Sequence, residues 1–151
     1  MSKVMLYTDG GVRGNQNENN IGSWGAYMIY RDYENRISGG ERNTTNNIME
    51  LKGCIEGLKA IKNKNLPVVV HLDSAYVLNG ITSWIESWKR NGWRTSTKKP
   101  VQNMALWREL EAERNKFFSI EFVKVKGHSD NEGNNIADKL CNDYMDKMME
   151  E

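Results

Sequence analysis

Residues 44–63 read TTNNIMELKGCIEGLKAIKN, and their period decides the fold. Ile48, Leu51, Ile55 and Leu58 recur at three- and four-residue spacing, the signature of one apolar helix face. Thr45 or Asn46 can cap it, so a helix is expected over residues 46–63. Upstream, residues 3–8 (KVMLYT), 23–31 (SWGAYMIYR) and 37–42 are β-prone, the last two joined by a polar turn at 32–36. The Gly/Asn-rich run 9–22 reads as a loop. Downstream, Pro67 closes a linker and VVVHL at 68–72 has the composition of a buried strand. Residues 74–80 and 82–91 read as two short helices broken at Gly80, residues 103–116 as a helix with Leu106 and Leu110 on one face, and residues 119–124 as a strand. Ile136, Leu140, Tyr144 and Met148 step by four along a final helix. Three strands, a helix, a strand, several helices, a strand and a helix describe an α/β domain with a mixed sheet, three antiparallel strands followed by crossover strands.

The chain has 151 residues, the length of one domain, and a single domain over residues 1–151 is expected. Five Trp and 9% aromatic content argue against disorder. Apolar runs fall short of the ~20 residues that span a bilayer, so no membrane association is expected. The N-terminus carries no long apolar stretch with a cleavage site, and Cys54 and Cys141 form no disulfide framework or metal spacing, so a reduced, cytoplasmic setting is expected. Cys54, on the apolar side of the first helix, reads as core.

Lys+Arg 21 against Asp+Glu 20 leaves a formal charge of +1, but the charges are segregated. Residues 88–99 (WKRNGWRTSTKK) hold Lys89, Arg90, Arg94, Lys98 and Lys99 and no acid, a local +5, with Trp88 and Trp93 interleaved. Residues 143–151 hold Asp143, Asp146, Glu150 and Glu151 against Lys147 alone. By composition alone a basic run equally fits a solvated loop; the interleaved Trp shifts the reading toward a nucleic-acid surface, since exposed Trp next to Arg is otherwise costly.

Four acids stand at structural junctions: Asp9 after the first strand, Asp73 after the fourth, Glu50 early in the first long helix and Asp138 early in the last. Ligands of open α/β sheets gather beyond the carboxyl ends of strands, and hard divalent cations want several carboxylate oxygens in one cleft. Taken singly, each acid also reads as a turn former, a helix cap or a surface group near a helix N-terminus.

Asp9 lies in Tyr7-Thr8-Asp9-Gly10-Gly11, Glu50 in Thr44-Thr45-Asn46-Asn47-Ile48-Met49-Glu50-Leu51, Asp73 in Leu72-Asp73-Ser74-Ala75-Tyr76-Val77, and Asp138 follows Lys126-Gly127-His128 and Asn134-Asn135-Ile136-Ala137. With Gly80-Ile81-Thr82 and Trp88-Lys89-Arg90-Asn91-Gly92-Trp93, this set resembles the type 1 ribonuclease H family in its bacterial form, over almost the whole chain and in the family's order and spacing. The resemblance implies a ribonuclease H-like fold, a five-stranded mixed sheet with its first three strands antiparallel, flanked by helices and bearing a basic protrusion. It implies an endoribonuclease that hydrolyses the RNA strand of RNA–DNA hybrids, leaving 3′-hydroxyl and 5′-phosphate ends, and acting as a monomer.

Residue by residue, Asp9, Glu50, Asp73 and Asp138 match the family's metal-binding acids, which implies two Mg²⁺ ions with Mn²⁺ as a substitute. One ion would lower the pKa of a water and the other would stabilise the leaving 3′-oxyanion. His128 matches the family's loop histidine, linked to proton transfer or product release. Asn15, Asn46 and Asn47 match positions that read the minor groove, and Thr45 and Asn103 part of a pocket for a DNA-strand phosphate. Tyr76, Trp84, Trp88 and Ser96 match a channel for DNA sugars, although Tyr76 and Trp84 also suit helix packing. Lys89, Arg90, Trp93 and Arg94 fall in the basic protrusion. Two positions depart from the pattern: Asn43 replaces the pocket's usual Arg, with Arg42 one step earlier, and Ala75 replaces a longer groove-contacting side chain. No hybrid-binding domain precedes the first strand, so low processivity is expected. A catalytically decayed binding module is disfavoured by the intact acids and His128. An integrase or junction resolvase of the same fold is disfavoured by the TTNN-x-MEL and KGH motifs.

Overall fold

Two long hairpins build the first half of the sheet. The computed structural model describes residues 2–14, 19–125 and 131–151. Strands β1 (Val4–Arg13), β2 (Ile21–Tyr30) and β3 (Tyr33–Arg42) pair antiparallel in sequence order. The chain then crosses through helix α1 (Asn46–Ala60) to β4 (Val68–Leu72), which pairs parallel with β1. It continues through α2 (Ala75–Asn79), a π-helical turn at Gly80–Trp84, α3 (Ile85–Arg90) and α4 (Met104–Arg114) to β5 (Ile120–Lys124), parallel to β4. Helix α5 (Glu132–Met149) ends the fold. The sheet order β3-β2-β1-β4-β5 is the mixed five-stranded arrangement expected.

Several boundaries differ from the sequence reading, for physical reasons. β1 does not stop at Thr8; Asp9–Arg13 continue the pairing against Gly25–Ile21, so half of the expected loop at 9–22 is strand. Of the two glycines that suggested a turn, Gly10 instead marks a close approach of the α1 backbone, while Gly11 has only the Asn46 side chain near it, 3.9 Å from where a Cβ would stand. The polar turn shrinks to Arg31 and Asp32, because Tyr30 and Tyr33 already pair and Arg31 takes the positive φ of 56° that a two-residue hairpin favours. Gly80 does not break the helix. Its backbone stays right-handed (φ −63°, ψ −50°), and its missing Cβ leaves room for the Trp107 ring. The buried line of α5 is Ala137, Cys141, Met145 and Met148 rather than the four-step series through Ile136, Leu140 and Tyr144.

Two cores hold the sheet between layers. On one face Leu6, Leu51, Ile55, Val70, Ile81 and Trp107 pack beneath α1 and the α2–α4 helices, with Cys54 fully buried among them. On the other, Ile21 packs with Cys141, Met145 and Met148 of α5. Among the described residues no helix is long and apolar enough to cross a membrane.

Candidate active site

The central parallel seam brings the first two acids together. Thr8 pairs with Leu72, the last residue of β4, so Asp9 and Asp73 leave that pair side by side. Asp9 itself remains inside β1, opposite Gly25. Glu50 reaches them because α1 lies directly on β1. Thr45 caps this helix, its Oγ1 accepting from Ile48 N at 3.1 Å. A Cβ at Gly10 would stand 2.5 Å from the Met49 carbonyl carbon and 2.6 Å from Glu50 N, so only glycine allows this approach. On the opposite face α5 closes on Gly25, where a Cβ would stand 2.5 Å from Ala137 O, and brings Asp138 near enough for its charge to act on Asp9.

Ligand oxygens of Asp9, Glu50 and Asp73 all lie within 4.8 Å of one another. Burial, then the charges of Asp73 and Asp138, raise the Asp9 carboxyl from 3.8 to about 7, although the Gly10 N–H donates to its Oδ1 at 2.9 Å and opposes the rise. Burial, then Asp9 and Asp73, push Glu50 well above the ordinary carboxylate range. Among the described residues, Glu50 Oε1 is buried with no hydrogen-bond partner. Carboxylates crowded at this range, with one oxygen orphaned, lack positive charge, and their hard oxygen donors fit a divalent cation.

His128 and Asn15 lie outside the described residues. Asn46 and Asn47 are exposed at the start of α1. Asn103 precedes α4 in the left-handed conformation (φ 61°) and makes no capping bond; its Nδ2 donates instead to Tyr76 Oη at 3.1 Å. Buried Trp107 donates its Nε1 to the same oxygen, also at 3.1 Å. Above this node the aromatic rings form a row. Trp84, 39% exposed, meets Tyr76 edge-on at 6.1 Å; Trp88 lies 6.0 Å from Trp84 and 5.4 Å from Trp107; Trp93 follows at 6.3 Å from Trp88. Tyr76 and Trp84 thus both pack and present a surface.

The basic segment folds back on itself. Thr95 N donates to Lys99 O at 2.8 Å, Arg94 bridges to Pro100, and Ser96 is exposed at the tip. Arg90 and Arg94 are exposed, whereas Lys89 pairs with Glu111 at 2.8 Å. Arg42 does not stand in for Asn43. Its Nη2 donates to Met148 O at the end of α5, and Asn43 holds a left-handed turn (φ 57°), accepting from Asn19 N at 3.0 Å. Sequence reasoning passed over Trp107 and Arg108; the four-residue step from Asn103 to Trp107 was the available signal.

A mixed sheet of this order with carboxylates clustered on its central seam defines the ribonuclease H-like fold class. Residues 1–145 match the RNase H family model. The chain is 47% identical over 148 residues to a ribonuclease H of Clostridium botulinum, covering 97% of this chain and 98% of that protein. It is 49% identical to one of Acetivibrio thermocellus, with 97% of each covered. Among solved structures it is similar to LC9-RNase H1, a type 1 RNase H with the type 2 active-site motif (TM-score 0.83, 30% identity, 95% of this chain and 72% of that one). The chain belongs to the ribonuclease H family, in its type 1 branch.

Proposed function

We propose that this chain is an endoribonuclease that hydrolyses the RNA strand of RNA–DNA hybrids to 3′-hydroxyl and 5′-phosphate ends. In this reading its 151 residues act in the cytoplasm as one monomeric catalytic domain. The observation that carries the reading is the set of carboxylate oxygens of Asp9, Glu50 and Asp73 within 4.8 Å, with Glu50 Oε1 left without a donor. Asp138, whose charge acts on Asp9, completes the set that would hold two Mg²⁺ ions, or Mn²⁺ in their place. Such ions supply Lewis acidity, lowering the pKa of a water and offsetting charge on the leaving oxygen.

The chain's own groups do the rest. With its carboxyl raised to about 7, Asp9 of the cation-free cluster is only partly ionised near neutral pH, and its proton must leave before the cluster is fully anionic. The exposed amides of Asn46 and Asn47, which can donate and accept, face the groove beside the cluster, where RNA 2′-hydroxyls distinguish the strands; Asn15 is assigned there by the resemblance. Tyr76, Trp84, Trp88 and Ser96 line the path of the DNA sugars, with Trp93 behind them. Thr45 and Asn103 meet a DNA-strand phosphate. Arg90 and Arg94, with Lys89 alongside, hold the backbone without reading sequence. His128, by the resemblance, assists proton transfer or product release.

The test is incubation with labelled RNA–DNA hybrid, double-stranded RNA and double-stranded DNA, with Mg²⁺ and with chelator. Cleavage confined to the RNA of the hybrid and abolished by chelation is expected; cleavage that survives chelation or extends to double-stranded DNA refutes the reading.

A further inference from the structure

The basic segment and the helix beside it divide their cations between two kinds of work. Lys89 Nζ lies 2.8 Å from Glu111 Oε2, on a side chain only 12% exposed, and Arg114 lies 3.3 Å from the same oxygen. Arg114 Nη1 also donates to Ile81 O, a carbonyl of the π-helical turn, at 3.1 Å. These cations share Glu111, which answers one of their two charges.

Arg108 is different. It is exposed on α4, its guanidinium lies 5.5 Å from the centroid of the Trp93 ring, and it makes no ion pair or hydrogen bond among the described residues. Trp93 is itself half-buried, packed on Trp88 and on the main core, so it serves as a pedestal. A guanidinium laid on an aromatic face keeps its edge N–H donors free in a fixed planar fork, the geometry that meets a phosphate with little further ordering. Arg90, Arg94, Lys98 and Lys99 supply further positive charge on the segment that Trp93 belongs to. Unpaired cations of one sign on adjoining elements repel one another until an anion arrives.

We propose that Arg108, seated on Trp93, is a substrate-contacting residue that grips a backbone phosphate of the bound hybrid alongside the protrusion. This role rests on the ribonuclease H reading above.

The test measures hybrid affinity against salt in an Asp9→Asn parent, which prevents turnover. Removing one phosphate contact lowers the slope of log affinity against log salt by about 1. Arg108→Gln should therefore bind more weakly at low salt. It should also lose about fourfold less affinity than the parent between about 50 and about 200 mM salt. Arg108→Lys, which keeps the charge without the planar stack, should restore the slope but not the full affinity. Lys3→Gln, a charge change at the opposite strand end, should keep the parent slope. An Arg108→Gln protein with the parent's slope overturns the role of Arg108 alone. A parent that binds no hybrid overturns the ribonuclease H reading and this role with it.

Discussion

Replacing Asp9 by Asn should make the cation-free protein more stable, although it removes the central residue of the site. The carboxyl of Asp9 moves from 3.8 in its ordinary state to about 7 in the fold, chiefly through burial and the charges of Asp73 and Asp138. Each tenfold change in proton affinity is about 1.4 kcal/mol, so the displacement from 3.8 to about 7 corresponds to about 4 kcal/mol. The sign follows from the raised folded value. Below pH 3.8 the group is protonated in both states and contributes nothing; as pH rises to about 7 only the folded state retains the proton, and stability falls progressively. At pH 8 the deprotonated acid opposes folding by up to about 4 kcal/mol, less whatever water entry and side-chain motion relieve. Urea unfolding of wild type and Asp9→Asn in chelator, at pH 8 and at pH 4, measures this. The variant should be more stable by about 2–4 kcal/mol at pH 8, and the difference should shrink strongly by pH 4. Equal stability at pH 8, or a difference that ignores pH, would refute the picture of a repulsive carboxylate cluster.

Other consequences follow from the same contacts. Mg²⁺ at a hundred times its dissociation constant should stabilise the wild type by about 2.7 kcal/mol in a thermal melt and do little for Asp9→Asn; equal shifts in both would remove Asp9 from the cation site. Gly10→Ala drives a Cβ into the Met49–Glu50 backbone and should cost about 1–3 kcal/mol while weakening Mg²⁺ affinity, read by melting and cation titration. An unchanged Mg²⁺ affinity there would mean that the approach of α1 does not place Glu50. Tyr76→Phe leaves the buried Trp107 Nε1 without its acceptor, at a cost of about 1–3 kcal/mol in urea unfolding, and releases Asn103, so hybrid affinity should fall as well. Retained stability and affinity would show that this node is incidental.

The acids were legible in the sequence as a set, through the motifs around them that carry the family resemblance; taken singly, each read equally as a turn former, a cap or a surface group. Thr45 and Asn46 both read as caps at the start of the helix, and Asp73 directly follows the apolar run 68–72. What the sequence did not reveal was depth of contact. Gly10 and Gly11 carry the composition of a turn yet continue the strand, and only the apposition of Gly10 to Met49 and Glu50 explains why a glycine stands at position 10. Gly80 likewise looks like a helix stop until the Trp107 ring occupies the space its side chain would fill. The face of α5 was misplaced because Ala137 and Cys141 are less hydrophobic than the Ile136–Leu140 line beside them, while their small size is what lets the helix close on Gly25. Pairing across elements was also beyond reach: nothing local to Lys89 announces Glu111, and nothing local to Trp93 announces Arg108.

The central claim is that the carboxylate cluster drives hydrolysis of the RNA strand in a hybrid. End-group analysis of the RNA cut from a labelled RNA–DNA hybrid with Mg²⁺, by wild type and by folded Asp9→Asn side by side, tests it most directly. Wild type should leave 3′-hydroxyl and 5′-phosphate ends, and the variant should leave the RNA uncut. Cyclic 2′,3′-phosphate ends, which arise when the RNA's own 2′-hydroxyl attacks, or undiminished cleavage by Asp9→Asn, would contradict the claim.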